Sequence, residues 1–185
     1  MAQSPLLHRA AEVVRAGGVI AYPTEAVYGL GCDPGNTSAL ERILAIKGRP
    51  QGAGFILIAA DLAQLEGWIT PTPAEREQLT ARSPTPVTWV VTAGPLASAL
   101  LTGGRRTLAV RITAHPRAAA LCRAAGMPLV STSANVHGRP PARTALTVRR
   151  ALGSRIDLVV PGPTSGAAKP SEIRLAATGA VLRAG

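Results

Sequence analysis

Apolar positions along this chain alternate between two spacings. Apolar residues at 40, 43, 44 and 46 form a helical stripe over Ser38–Ile46, stopped at Lys47-Gly48. Ser4-Pro5 reads as an N-cap followed by Pro at the first helical position, which predicts a helix to about Ala16, ended by Gly17-Gly18. Thr72-Pro73-Ala-Glu75 repeats that signature and predicts a helix to about Ala81, while Asp61 caps a shorter turn. Further helices are predicted over 115–125, closed by Gly126, and over 142–152. Between them lie short apolar or β-branched runs at 19–22, 55–59, 87–91, 107–112, 129–131 and 157–160, which predict strands. Residues 171–176 and 180–183 flank Thr178-Gly179 and predict a terminal hairpin. Residues 23–36, rich in Gly, Pro and Thr, read as one long turn-bearing segment. The alternation calls for a layered α/β domain with helices packed on a mixed sheet. In such sheets ligands sit at strand ends, which directs attention to loops 23–35, 48–54, 83–86 and 131–141.

Length and composition narrow the class. A chain of 185 residues buries enough surface to fold as one domain without disulfides or a structural metal. The longest apolar stretch, 55–60, is far short of a membrane span, and Met1–His8 has no basic start or apolar core of a secretory signal. Cys32 and Cys122 stand far apart, which predicts ordinary thiols in a reducing, cytoplasmic setting. Charge adds more. The net of +10 is not spread evenly: residues 101–185 hold thirteen basic and two acidic side chains, residues 1–100 seven and eight. A basic half attracts polyanions such as RNA, DNA, anionic lipid or nucleotide phosphates; an arginine-rich coding bias explains the surplus equally well.

Familiar nucleotide fingerprints fail. Gly29-Leu-Gly31-Cys-Asp-Pro34 puts Pro where a dinucleotide motif needs its third Gly, and no P-loop occurs. Gly162-Pro-Thr-Ser-Gly166 lacks the nucleophile serine, and no His/Cys spacing suggests zinc. What remains is cationic and hydroxyl-rich: Lys47-Gly-Arg49, Arg111, Ser131-Thr-Ser-Ala-Asn135, Arg143, Ser171 and Arg174. Fixed cations, hydroxyls and amides are what a site needs to hold phosphate oxygens without a P-loop.

Five segments in order, Ala21–Pro34, Lys47-Gly-Arg-Pro50, Leu108–Arg111 with His115-Pro116, Ser131–Asn135 and Pro170-Ser-Glu-Ile-Arg174, resemble the YrdC/TsaC threonylcarbamoyl-AMP synthases. The resemblance runs from about residue 6 to 183 and fits the short bacterial form without an extra C-terminal domain. It implies one YrdC-like domain over 1–185, with a twisted mixed β-sheet, flanking helices and a basic ligand-binding concavity. It also implies that L-threonine, bicarbonate and ATP, with Mg²⁺, are converted to threonylcarbamoyl-adenylate and pyrophosphate. A downstream threonylcarbamoyl transferase complex then modifies tRNA beside the anticodon, and tRNA or double-stranded RNA is an expected partner. Carried over by position, Lys47 and Arg49 are catalytic and hold nucleotide phosphates. Ser133, Asn135, Arg143 and Ser171 face the nucleotide, and Thr24, Tyr28 and Arg111 belong to the threonine side. The chain departs from the pattern at Ala26, at Gln51-Gly-Ala-Gly54 and at Thr85, where relatives often carry Thr, Lys or Asn, and Gly.

Plainer readings stand beside these. Lys47-Gly48 also suits a helix C-cap with a cation on the negative end of the dipole. Ser131–Asn135 also suits a turn or cap, and Tyr22 and Tyr28 suit core or pocket wall. His115 reads as a helix N-terminal residue with a satisfied ring, Arg149-Arg150 as a solvated face, and Cys32 has no legible base. The rival functions are a double-stranded RNA or ribosome-binding maturation factor without chemistry, and a related hydrolase or carbamoyl-transfer domain. A pure RNA clamp needs scattered charge but no Ser-x-Asn beside a fixed lysine, which favours the enzyme.

Overall fold

The computed structural model describes residues 4–81, 83–167 and 170–184; the first three residues of the Met1–His8 reading lie outside them. The helices are α1 (Pro5–Arg15), α2 (Thr37–Lys47), α3 (Pro73–Thr80), α4 (Ala99–Thr102), α5 (Pro116–Ala125) and α6 (Ala145–Leu152). The strands are β1 (Ile20–Pro23), β2 (Tyr28–Gly31), β3 (Ile56–Ala59), β4 (Val87–Thr92), β5 (Thr107–Ile112), β6 (Leu129–Ser133), β7 (Leu158–Val159), β8 (Glu172–Leu175) and β9 (Val181–Arg183). They form one nine-stranded mixed sheet in the order β7-β1-β2-β6-β3-β5-β4-β8-β9. β1 pairs parallel with β7, β3 with β5, and β4 with β8; the other neighbours are antiparallel.

Helix ends follow local chemistry. Thr72 Oγ1 accepts from Glu75 N while Thr72 N donates to Glu75 Oε2 at 2.8 Å, a complete capping box ahead of α3. Asn36 Oδ1 accepts from Ala39 N at 3.0 Å and starts α2 one residue before the expected Ser38. Ser4 makes no side-chain cap; Pro5 opens α1.

The central strands bury both faces. Ile20, Tyr22, Ile58 and Leu129 pack with α1 and α5 on one side. Ala21, Tyr28, Leu30, Leu57 and Val130 belong to the larger core on the other, with Leu40 and Ile43 of α2 and Val148 of α6. Side chains alternate across the sheet, but both partners are apolar, so the strands read as continuous runs.

Two expectations need correction, and one element has no sequence counterpart. The segment 23–36 contains β2, hidden because its sequence is Tyr-Gly-Leu-Gly. A Cβ on Gly31 would lie 2.5 Å from the Val130 carbonyl oxygen and 2.6 Å from Tyr22 Cε1, so close packing, and no turn, demands that glycine. α6 begins after its cap Thr144 and not at Ala142. Ala142 instead accepts from Tyr28 N and donates to the Ala134 carbonyl, stitching the chain beside β2. The short helix α4, started by Ser98 Oγ accepting from Leu101 N, gave too few residues for a periodic signal.

Candidate active site

A cleft of about 660 Å³ is lined by the start of β2 and β3, the length of β5 and the end of β6, together with the loop after α2 and residues of β8 and β9. Its wall includes Lys47, Arg49, Arg105, Arg111, Ser133, Asn135, Ser171, Thr24 and Tyr28. Gly48, in the left-handed region at φ 64°, ends α2 and turns the chain so that Arg49 N returns to the Leu44 carbonyl. Lys47 therefore sits on the last helical turn with its side chain aimed inward at 3% exposure. The Lys47 carbonyl accepts from His137 N at 2.7 Å, fastening the segment after β6 to the end of α2.

Lys47 and the Ser-x-Asn pair form one unit. Nζ donates to the Ser133 carbonyl and lies 3.0 Å from Asn135 Oδ1, 3.1 Å from the Asn135 carbonyl and 3.3 Å from Ser133 Oγ. Asn135 Nδ2 donates to the Val136 and Arg139 carbonyls, so its amide oxygen is turned toward the lysine, and Ser133 Oγ donates to that same oxygen at 2.6 Å. Every acceptor around this ammonium is neutral. Burial, then Arg49, pull Lys47 down to about 8. Arg49 is shifted down as well, by burial and then by Arg105, and its Nη1 reaches Thr132 Oγ1 at 3.2 Å. One end of the cleft thus concentrates positive charge with no carboxylate to neutralise it among the described residues lining it, apart from Glu25, which is committed elsewhere. An anion completes such a site.

The same cleft also carries Glu25 and Arg111. Glu25 Oε2 lies 3.4 Å from Arg111 Nη2, and Oε1 accepts from Thr113 Oγ1 at 2.7 Å. Burial alone would raise the Glu25 carboxyl, but Arg111 and Thr113 hold it below its usual range. Thr24 Oγ1 donates to the Val27 carbonyl and shapes the turn into β2, and Tyr28 OH donates to the Gly162 carbonyl at 2.6 Å, its phenol shifted up by burial. Ser171 Oγ shares a 2.8 Å hydrogen bond with the buried Thr88 Oγ1, and the Ser171 carbonyl accepts from Arg183 Nη2.

Of the residues singled out from sequence, Arg143 stands apart: it is exposed before α6 and does not line the cleft. Arg174 pairs with Glu172 at 2.8 Å, also off the cleft wall. Glu25, Arg105 and Arg183 also line the cleft, and the sequence motifs do not mark them as site residues. Arg105 follows Gly103-Gly104 directly before β5, a turn-then-strand signal that could have marked it. Its guanidinium donates to the Gly52 and Ala53 carbonyls at 3.2 and 3.0 Å. Thr85 raises no backbone difficulty, since no described non-glycine residue has positive φ. His115 caps α5, its Nδ1 accepting from Ala118 N and its Nε2 donating to the Pro163 carbonyl, as its helix-terminal reading expected. Both cysteines are buried and free, and burial pushes the Cys122 thiol up to about 12 and Cys32 further, away from nucleophile chemistry.

Comparison with known proteins identifies the family. The Sua5/YciO/YrdC family model, described as telomere recombination, matches residues 12–185. The chain is 56% identical over 175 residues to the threonylcarbamoyl-AMP synthase of Nitrosococcus oceani, covering 94% of this chain and 95% of that one. The Halorhodospira halophila protein of the same name is 56% identical over 177 residues, covering 95% and 92%. In three dimensions, P. abyssi Sua5 complexed with L-threonine superposes with a TM-score of 0.85 at 32% identity, covering 91% of this chain and 50% of that one. This chain thus spans about half the length of that Sua5. E. coli YciO superposes at 0.79 and 30% identity, covering 92% and 83%. Identity at this level over nearly the whole length, on the same mixed sheet, makes the chain a member of the Sua5/YciO/YrdC family, on the branch of the threonylcarbamoyl-AMP synthases.

Proposed function

We propose that the cleft is where this chain joins L-threonine, bicarbonate and ATP into threonylcarbamoyl-AMP, releasing pyrophosphate and water. The observation that carries this reading is the buried Lys47 ammonium, held by neutral oxygens beside Arg49 and lacking a countercharge of its own. A polyphosphate supplies that countercharge. The carbamate oxygen of carboxylated threonine attacks the α-phosphorus, and the bond to the pyrophosphate oxygen breaks. Negative charge then grows on oxygens that fixed cations stabilise without reorganising.

The cations and the Glu25–Arg111 pair divide the work. Lys47 and Arg49 hold the phosphates, while Ser133 and Asn135 act chiefly by fixing Lys47. Ser171, and Arg143 from outside the cleft, are assigned to the nucleotide. Thr24, Tyr28 and Arg111 line the amino-acid end, where Arg111 offers a cation for the threonine carboxylate. Among the described residues no group of three or more His, Cys, Asp or Glu could hold a metal, and Glu25 is engaged with Arg111 and Thr113. Mg²⁺ therefore belongs to the reading as part of MgATP, ligated by substrate phosphates. The whole chain, 1–185, is read as one synthase domain.

The biological setting extends the same reading. The product passes to a threonylcarbamoyl transferase complex that modifies tRNA. No described helix is long and apolar enough to cross a membrane, and two buried free thiols suit a cytoplasmic enzyme. The family relationship favours the synthase over an RNA clamp without chemistry. The deciding experiment incubates the protein with threonine, bicarbonate and MgATP and follows pyrophosphate and the adenylate. Valine should be rejected strongly, because it leaves polar groups of the pocket unpaired, and serine by only ~10–200-fold. Valine turning over as fast as threonine would refute the pocket assignment.

A further inference from the structure

Glu25 is the acidic residue among the described residues lining the cleft, and no phosphate-binding role explains it. A carboxylate repels ATP, so its place beside a polyanion site calls for a reason. It lies between Thr24, which shapes the turn into β2, and Ala26, and it is 5% exposed. Oε1 is spent on Thr113 Oγ1, whose oxygen in turn accepts from His115 N at 3.2 Å. Oε2 lies 3.4 Å from Arg111 Nη2 and is enclosed without a hydrogen bond.

Arg111, at 9% exposure, is the other half of the pair. It sits near the end of β5, in register with Ile58 of β3. Its Nε is enclosed and without a hydrogen-bond partner. Nη2 of the guanidinium thus faces Glu25, while Arg111 also forms part of the cleft wall. A long side chain at a cleft wall keeps one aim only if something holds it, and a flat guanidinium held along one edge presents another in a fixed plane.

We infer that Glu25 is the positioning residue of the amino-acid subsite: tied by Thr113, it fixes the Arg111 guanidinium on the cleft wall so that it takes the carboxylate of the incoming amino acid. This rests on the reading above that Arg111 meets the threonine carboxylate. Glu25 acts through Arg111 and does not touch the phosphates. Loss of its charge therefore weakens amino-acid capture without changing ATP capture.

The test is steady-state kinetics with threonine and ATP varied separately, on variants checked for folding by thermal unfolding. Glu25→Gln keeps the shape and the Thr113 bond but loses the charge. It should raise KM for threonine by about ten-fold or more, with KM for ATP within about two-fold and kcat little changed. Thr113→Val should shift threonine KM the same way by a smaller factor, and Thr113→Ser should restore it. On an Arg111→Lys background, Glu25→Gln should add less than about two-fold, because the group it positions is already gone. Full additivity there, or a threonine KM for Glu25→Gln within two-fold of wild type, overturns the inference while leaving Arg111 in place. An unchanged threonine KM in Arg111→Lys instead overturns the reading beneath it. If Glu25→Gln does not fold, the Thr113 pair decides by the same criterion.

Discussion

Lys47 titrates in a range that assays reach. Burial and then Arg49 bring its ammonium from an ordinary 10.5 to about 8, so the free protein holds it about nine-tenths charged at pH 7 and about one-tenth charged at pH 9. If that charge captures phosphate, kcat/KM for ATP should bend downward near pH 8 and fall about ten-fold per unit above it. The fall should level off 10²–10³ below the plateau, about 3–4 kcal/mol, the scale of one preorganised donor removed. Lys47→Ala should start at that floor and show no bend. Lys47→Arg should keep charge to higher pH and lose the bend, yet recover only part of the rate, because a planar fork cannot reach four oxygens gathered around one point. Stability runs the other way. A lysine whose folded value lies below its unfolded one costs the fold up to about 3 kcal/mol while charged, below about pH 8. That cost is relieved as pH rises from about 8 toward 10.5, so the lost activity cannot be unfolding driven by this residue. The assay is kcat/KM for ATP from pH 6.5 to 9.5 at saturating threonine and bicarbonate, with thermal unfolding across the same range. A flat profile to pH 9.5, or a bend that survives in Lys47→Arg, refutes the role given to the ammonium.

Three further outcomes follow from named contacts. Arg105→Ala should raise KM for ATP several-fold while leaving KM for threonine within about two-fold, and Arg106→Ala, off the cleft wall, should change neither; equal effects of the two in ATP titrations would remove Arg105 from the phosphate end. Gly54→Ala should lower stability by at least 1 kcal/mol in denaturant melts, since its φ of 61° disfavours a side chain and the new Cβ would lie 2.9 Å from the Thr102 carbonyl oxygen. If the basic side chains of residues 101–185 form a phosphate-tracking surface, replacing the exposed Arg149 and Arg150 together should weaken RNA binding with adenylate synthesis within about two-fold. RNA affinity should fall with salt at a log–log slope of roughly −0.7 to −0.9 per neutralised phosphate; salt-independent binding, or lost synthesis in that variant, would show the surface divided wrongly.

Local chemistry wrote much of this structure into the chain. The box at Thr72–Glu75, the Gly stops at 48 and 126, and the hairpin about Thr178-Gly179 stand where backbone groups within a few residues satisfy one another, so neighbours in sequence suffice to read them. The layered α/β class followed from the two apolar spacings, and the Lys-x-Arg and Ser-x-Asn segments were visible as cationic and hydroxyl-rich loops at strand ends. Tertiary packing decided the rest. β2 looked like a turn because Gly31 answers a carbonyl and a tyrosine ring from other strands. Ala142 is held by β2 and the end of β6, so α6 could not begin where its own sequence allowed. Above all, Ser133 and Asn135 read as contacts for a ligand, and only the fold turns them onto Lys47, 86 and 88 residues away along the chain. Glu25 and Arg111 likewise meet only across the sheet. Hydrogen bonds and charge pairs act over a few ångströms, so a sequence shows which groups exist, and folding alone decides which of them are close enough to act together.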